Sequence, residues 1–208
     1  RQMCIRDRSL TRQDHGEQPF WAAIMLASMV GQIGLPGGGF GFGYSATNHI
    51  GGQFSIIPGA AFPQTQNKIE DFIPVARISD LLLNPGGSFD FDGKKYKYPD
   101  IKLIYWAGGN PFHHHQDINR LLQAWQKPET IISNEWCWNS LAKYSDIILP
   151  CTTPLERQDI MLTPRDPYVV SMSKLVEPFG LAKNDFDIFK GIAKKMGFEK
   201  IFTEGRDC

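Results

Sequence analysis

The chain has 208 residues, 42% of them hydrophobic, with a formal net charge of +0 and a sequence pI of about 7.1. That length holds one good-sized domain, or one domain and part of another, and the apolar content is that of a globular protein rather than a disordered one. A neutral chain has no electrostatic footprint for nucleic acid, so no nucleic-acid partner is expected. The four cysteines, Cys4, Cys137, Cys151 and Cys208, form no CxxC pair. This argues against a structural zinc site or a cysteine-held iron–sulfur cluster, and Cys137 and Cys151 are expected to be small buried side chains.

Residues 1–14 are set apart first. The run RQMCIRDRSLTR has no period and no cap, and MCIRDR reads as translated adapter sequence rather than protein. A helix is expected over 19–32, with Pro19 in its first turn and a stop at Gly34 before Pro36. It is apolar on every side, which predicts burial. The apolar window 19–35 is too short and too interrupted by Ser28, Gly31 and Gln32 to span a membrane. No signal peptide is visible.

A glycine-rich loop follows, LPGGGFGFGYS, with Gly38 and Gly39 at its centre. Aromatics rather than serines separate its glycines, so a ligand-contacting loop is expected in place of a linker. Residues 46–73 read as irregular. A short strand or turn and a helix are expected over 73–83, then a hairpin over 89–98 with Asp92-Gly93 as its turn.

From residue 102 the pattern becomes regular. Strands are expected at 102–107, 130–133, 146–149 and 168–175. Helices are expected at 116–125, 139–144 and 185–196, the last with Ile188, Phe189, Ile192 and Met196 inward. Strands alternating with helices mean βαβ units on a parallel sheet, an α/β nucleotide-binding domain over 74–208. Residues 15–73, with the helix and the glycine-rich loop, then belong to the end of a neighbouring α/β domain.

Parallel strands bind ligands beyond their C-terminal ends. Four features fall there: Gly108-Gly109-Asn110-Pro111, Asn134-Glu135, the loop Thr152–Arg157, and Asn184–Asp187. Glycines let backbone N–H groups approach phosphate, an amide or carboxylate can accept ribose hydroxyls, Arg157 can hold a phosphate in a fork, and an Asp can pair with two donors of guanine. Taken singly, each has a structural alternative: Asn184 or Asp185 as a helix cap, Arg157 as the partner of Glu156 or Asp159. Co-location at one rim favours binding. His113, His114 and His115 lack the i, i+4 spacing of a metal pair, and no GxSxG, Walker loop or strand-borne GxGxxG occurs.

Together the stretches YWAGGNPFHHHQDINRLLQAW, YSDIILPCTTPLERQDI and GQIGLPGGGFGFGYS resemble the molybdopterin oxidoreductases. The resemblance covers about residues 15–207 and is closest to the dimethyl-sulfoxide, trimethylamine-N-oxide and biotin-sulfoxide reductase branch. It implies a bis(molybdopterin guanine dinucleotide) molybdenum cofactor and reduction of a small S-oxide or N-oxide by oxygen-atom transfer. It also implies a cytochrome electron donor and a periplasmic location.

The resemblance gives Gly38, Gly39, Gly108, Gly109, Asn110, His114, Asn134, Glu135 and Arg157 roles as cofactor contacts, and Asp187, or else Asp185, the reading of guanine. His113 and His115 remain alternatives to His114. No metal ligand or catalytic residue is assigned, since the family's metal-binding serine lies upstream of the matching region, so the chain reads as an internal fragment that is inactive alone. The competing readings are another α/β nucleotide-binding oxidoreductase and a non-catalytic binding module of the same fold.

Overall fold

The structure is a computed structural model that describes residues 15–40, 72–161 and 168–206. The segment 1–14, the rest of the glycine-rich loop and most of the irregular stretch 46–73 lie outside the described residues. The chain falls into two compact units, residues 1–67 with 161–170, and residues 68–160 with 171–208.

The first unit carries α1, Gln18–Met29. It ends earlier than expected, at Gly31, which takes φ +66°. Gln32 N donates to Ala27 O and Gly31 N to Ser28 O, the paired bonds that close a helix on a left-handed glycine. The expected burial is not observed. Ala27 is the buried residue of α1, while Trp21 and Met29 are 62% and 80% exposed. An all-round apolar helix needs cover on every side, and among the described residues this one lacks it.

In the second unit a single 3-10 turn, Val75–Arg77, replaces the short strand considered there and leads into α2, Ile78–Leu83. The hairpin forms as expected. β1, Ser88–Phe91, pairs antiparallel with β2, Lys94–Lys97, and the turn residues Asp92 and Gly93 both have positive φ, as a two-residue turn matching strand twist requires.

The sheet is parallel, with three strands in the order β3–β4–β5. β3 is Leu103–Ala107, β4 Thr130–Glu135 and β5 Ile147–Pro150. The crossovers are α3, Pro111–His114, with α4, Ile118–Trp125, and then α5, Ser140–Lys143. Two side chains cap these helices. Asp117 accepts from Arg120 N at 3.1 Å, and Asn139 from Ala142 N at 3.0 Å.

Alternation along the strands sorts the two faces. Ile104, Trp106 and Ile131 face the core cluster of Leu82, Phe112, Leu121, Ala124, Trp125 and Leu141. Full burial of a leucine such as Leu121 contributes about 1.5–3 kcal/mol. Tyr105 faces the other way, with its ring 5.3 Å from Phe189 of α6, Asp185–Lys195. Each face of the sheet therefore carries helices.

Three expectations are corrected. Cys137, expected to be a small buried side chain, is exposed, and Cys151 is half-buried. The stretch 168–175 adds no strand to the parallel sheet. Only β7, Val170–Met172, forms there, and it pairs with β6, Asp159–Met161. Past the end of β5, among the described residues, there is a single parallel bridge, Cys151 with Lys183. On α6, Ile188, Phe189 and Ile192 are half-buried, but Met196 is 67% exposed and Ala193 takes the buried position. The chain ends in α7, Glu199–Thr203.

Candidate nucleotide-binding edge

The three parallel strands finish level. Ala107 pairs with Asn134 and Asn134 with Leu149, so the segments beginning at Gly108, Trp136 and Cys151 emerge side by side, with the loop of β4 in the middle. Asn134 and Glu135 are the last two residues of β4 rather than residues beyond it, which sets their side chains on opposite faces.

Asn134, 4% exposed, is the join of the edge. The Tyr105 hydroxyl donates to its Oδ1 at 2.8 Å, and its Nδ2 donates to Asp185 Oδ1 at 2.8 Å. Beside it, Thr152 Oγ1 donates to Asn184 Oδ1 at 2.9 Å. Residues far apart in sequence thus tie the ends of β3, β4 and β5 to the start of α6. Asn184 stands at the N-cap position of α6, yet its side chain makes no capping bond. Asp187 is outside this network. It is exposed and lines a cavity of about 450 Å³ with Leu149, Lys183, Ile188 and Lys195.

On the opposite face a second polar cluster forms. Asn110 is 7% exposed; its Oδ1 accepts from Phe112 N at 3.0 Å and its Nδ2 donates to Ser140 Oγ at 3.2 Å. His113 Nε2 lies 3.3 Å from the same hydroxyl. Asn139 Nδ2 donates to Glu135 Oε2 at 2.7 Å. Burial pushes the Glu135 carboxyl above the usual carboxylate range, against the Asn139 hydrogen bond, the His113 ring and the Trp136 backbone N–H. The histidines diverge: His113 joins this cluster, His114 is exposed, and His115 stands edge-on to Trp106 at 6.4 Å.

The turn between these strands needs its glycines. Gly108 and Gly109 have φ +83° and +71°, and no atom beyond their chain neighbours lies within 4 Å of where either Cβ would stand. The Trp106 indole donates to Gly108 O at 2.9 Å and steadies the turn.

The third loop is held by its own side chains. Glu156 accepts from Thr153 N and Oγ1 and from Phe179 N, and the backbone donors keep its carboxyl below the usual range. Arg157 donates from Nε to Asp159 Oδ2 at 2.9 Å and from Nη1 to Thr152 O at 2.7 Å. Burial, together with the carboxylates of Asp185 and Glu135, pushes the Cys151 thiol up to about 11.

Gly38 and Gly39 belong to the other unit and are described by themselves. A Cβ on Gly38 would stand 2.7 Å from Gln32 O, and Gly39 has φ +89°, so both positions need glycine for local reasons. Tyr105, Asn139 and Ser140 were not singled out by sequence reasoning. The available signal was a tyrosine inside an apolar strand, whose hydroxyl requires a partner when buried. Among the described residues no group of His, Cys, Asp and Glu is arranged to hold a metal ion, and no helix is long and apolar enough to cross a membrane.

The chain is 50% identical over 207 residues to a biotin sulfoxide reductase of Cereibacter sphaeroides, covering 100% of this chain and 28% of that protein. It is 45% identical over 221 residues to a dimethyl sulfoxide/trimethylamine N-oxide reductase of the same organism, covering 100% of this chain and 27% of that one. It therefore spans little more than a quarter of the length of these curated relatives. Among solved structures, acetylene hydratase from Pelobacter acetylenicus matches with a TM-score of 0.45 and 20% identity over 49% of this chain and 14% of that one. The family described as Molybdopterin oxidoreductase matches residues 1–195. The chain belongs to the molybdopterin oxidoreductase family.

Proposed function

We propose that the intact protein is a molybdenum-dependent reductase of S-oxides or N-oxides. In this reading the present chain forms part of the cradle for the guanine dinucleotide arms of a bis(molybdopterin guanine dinucleotide) cofactor. The family implies molybdopterin-bound molybdenum, and the two relatives act, by their names, on biotin sulfoxide and on dimethyl sulfoxide or trimethylamine N-oxide. The observation that carries the reading is the join of Asn134 with Tyr105 and Asp185, with the Thr152–Asn184 bond beside it, at the C-terminal edge of the parallel sheet.

The residues present fit such a group. The side chains at the edge are amides, hydroxyls, carboxylates and one guanidinium, which suit phosphate, ribose and base rather than a bare metal ion. The open Gly108-Gly109 turn leaves room for a phosphate to approach the backbone. Asn134 keeps one lone pair and one N–H beyond the bonds it makes, enough to meet a ribose hydroxyl. Asn110 and Glu135 stand on the other face of the same edge, His114 is given a cofactor contact there by the family resemblance, and Arg157 serves a phosphate. Asp187, exposed at the cavity, reads the guanine edge. Gly38 and Gly39 contribute a second contact loop. The bound group supplies the two-electron chemistry of oxygen-atom transfer. The cytochrome donor and the periplasmic location rest on the resemblance alone.

Metal and nucleotide analysis of the purified intact protein, with reduction assays on trimethylamine N-oxide, dimethyl sulfoxide and biotin sulfoxide, tests this reading. Bound molybdenum with guanine nucleotide and turnover of at least one oxide are expected. Protein that carries neither molybdenum nor guanine nucleotide sinks it.

A further inference from the structure

The loop leaving the central strand carries two exposed indoles. Trp136, Cys137 and Trp138 fill the gap between Glu135, the last residue of β4, and Asn139, the N-cap of α5. Trp136 is 66% and Trp138 75% exposed. The bridge is anchored at both ends. Asn139 N donates to Cys137 O at 2.9 Å, and the Asn139 side chain holds both Ala142 N and the buried Glu135 carboxylate. The indoles are therefore presented on a short, fixed segment.

Their placement and chemistry point to one occupant. Because β4 lies between β3 and β5, this bridge rises between the Gly108-Gly109 turn and the loop that starts at Cys151. Other large aromatics of this unit pack on one another: Trp106 on Trp125 at 5.7 Å and Phe112 on Trp125 at 5.4 Å. Trp136 and Trp138 are left out of that cluster, and the residues on either side of them in the chain, Glu135 and Asn139, are hydrogen-bonding groups at the same edge. An aromatic face next to hydrogen-bonding side chains is the arrangement that holds a planar base.

We infer that Trp136 and Trp138 stack on a planar heterocycle of the bound cofactor, its guanine or its pterin ring, and retain it in the site. The inference rests on the proposed function.

The test uses Trp→Phe and Trp→Leu variants at both positions of the intact protein. Leucine keeps an apolar side chain that would satisfy packing against protein, but it has no π-face. Guanine nucleotide retained on dialysis and the thermal midpoints of loaded and cofactor-free protein are measured. The phenylalanine variants are expected to retain the cofactor. The leucine variants are expected to lose it about tenfold faster, the factor that corresponds to about 1.4 kcal/mol. They should also narrow the gap between loaded and cofactor-free midpoints while leaving the cofactor-free midpoint in place.

Titrating cofactor-free protein with GMP and, separately, with a free pterin then assigns the ring, by which of them quenches emission that the leucine variants lack. Leucine variants that hold the nucleotide as tightly as wild type overturn the stacking and leave the proposed function standing. Leucine variants whose cofactor-free midpoint falls as far as the loaded one also overturn it, because that marks packing against protein. Wild-type protein without guanine nucleotide removes both.

Discussion

Asn134 and Asp187 separate two duties that their neighbourhood in the fold could confuse. Asn134 is buried and bonded at both ends, so replacing it by leucine strands the Tyr105 hydroxyl and an Asp185 oxygen. Asn134→Leu is expected to destabilise by about 2–3 kcal/mol, read as a lowered unfolding midpoint of the intact protein. Asp187 is exposed, and Asp187→Asn is expected to change stability by less than about 0.5 kcal/mol and to appear instead as lost guanine nucleotide. Full retention in Asp187→Asn with loss in Asp185→Asn transfers the reading of guanine to Asp185.

Two other residues at the edge are tuned by burial. The Cys151 thiol, pushed up to about 11, stays protonated and unreactive at neutral pH. Glu135 has its carboxyl raised, so between the ordinary and the raised value the folded state binds more protons than the unfolded one. Its contribution to stability is present below the ordinary carboxylate range and is lost as pH rises through the raised value. The sequence shows Asn134, Glu135 and Arg157 as residues near strand ends. It does not show which atoms they spend on one another, because those partners come from segments far apart in the chain.

At the scale of elements, local chemistry explains most of what formed. Asp92-Gly93 makes the hairpin turn, Asn139 and Asp117 start helices, and Gly31 stops one. The Gly108-Gly109 turn is the element on which the site depends most. Gly109→Ala forces a Cβ into φ +71°, and a cost of about 1–2 kcal/mol in stability with weaker cofactor retention is expected. Gly191→Ala is the opposite case. Gly191 lies inside α6 without a positive φ, and apart from its chain neighbours and the helix's own backbone no atom lies within 4 Å of the new Cβ, so a gain of about 0.5–1 kcal/mol is expected. Unfolding midpoints of the two variants, shifted in opposite directions, check the pair. The stretch 168–175 shows where local reading failed. Its β-branched and aromatic residues favour a strand, but strand membership in the main sheet needs an open edge in register, and among the described residues the edge of β5 away from β4 is met by Lys183, bonded to Pro150 and bridged to Cys151.

At the scale of the molecule, the second unit has a layered core and the described part of the first does not. Met29 is 80% exposed, and in the second unit Phe179 and Leu181 are 88% and 85% exposed. Apolar surface of this kind marks contact with further protein, in keeping with a chain that spans 28% of its relative. Produced alone, the 208-residue chain is expected to bind an apolar dye such as ANS and to sediment as aggregates, while the intact protein does neither. A monomeric chain that leaves the dye dark refutes this. By itself the sequence determined the family, the α/β alternation, the hairpin and the Gly-Gly-Asn turn, because motifs, periodicity and turn chemistry are properties of neighbouring residues. Only the tertiary structure decided that Asp185 rather than Asp187 joins Asn134, that Arg157 is held by Asp159 and Thr152, that Trp21 and Met29 of α1 are exposed, and that two indoles rise at the central strand. Those outcomes depend on which distant segments meet and on how much surface each can bury.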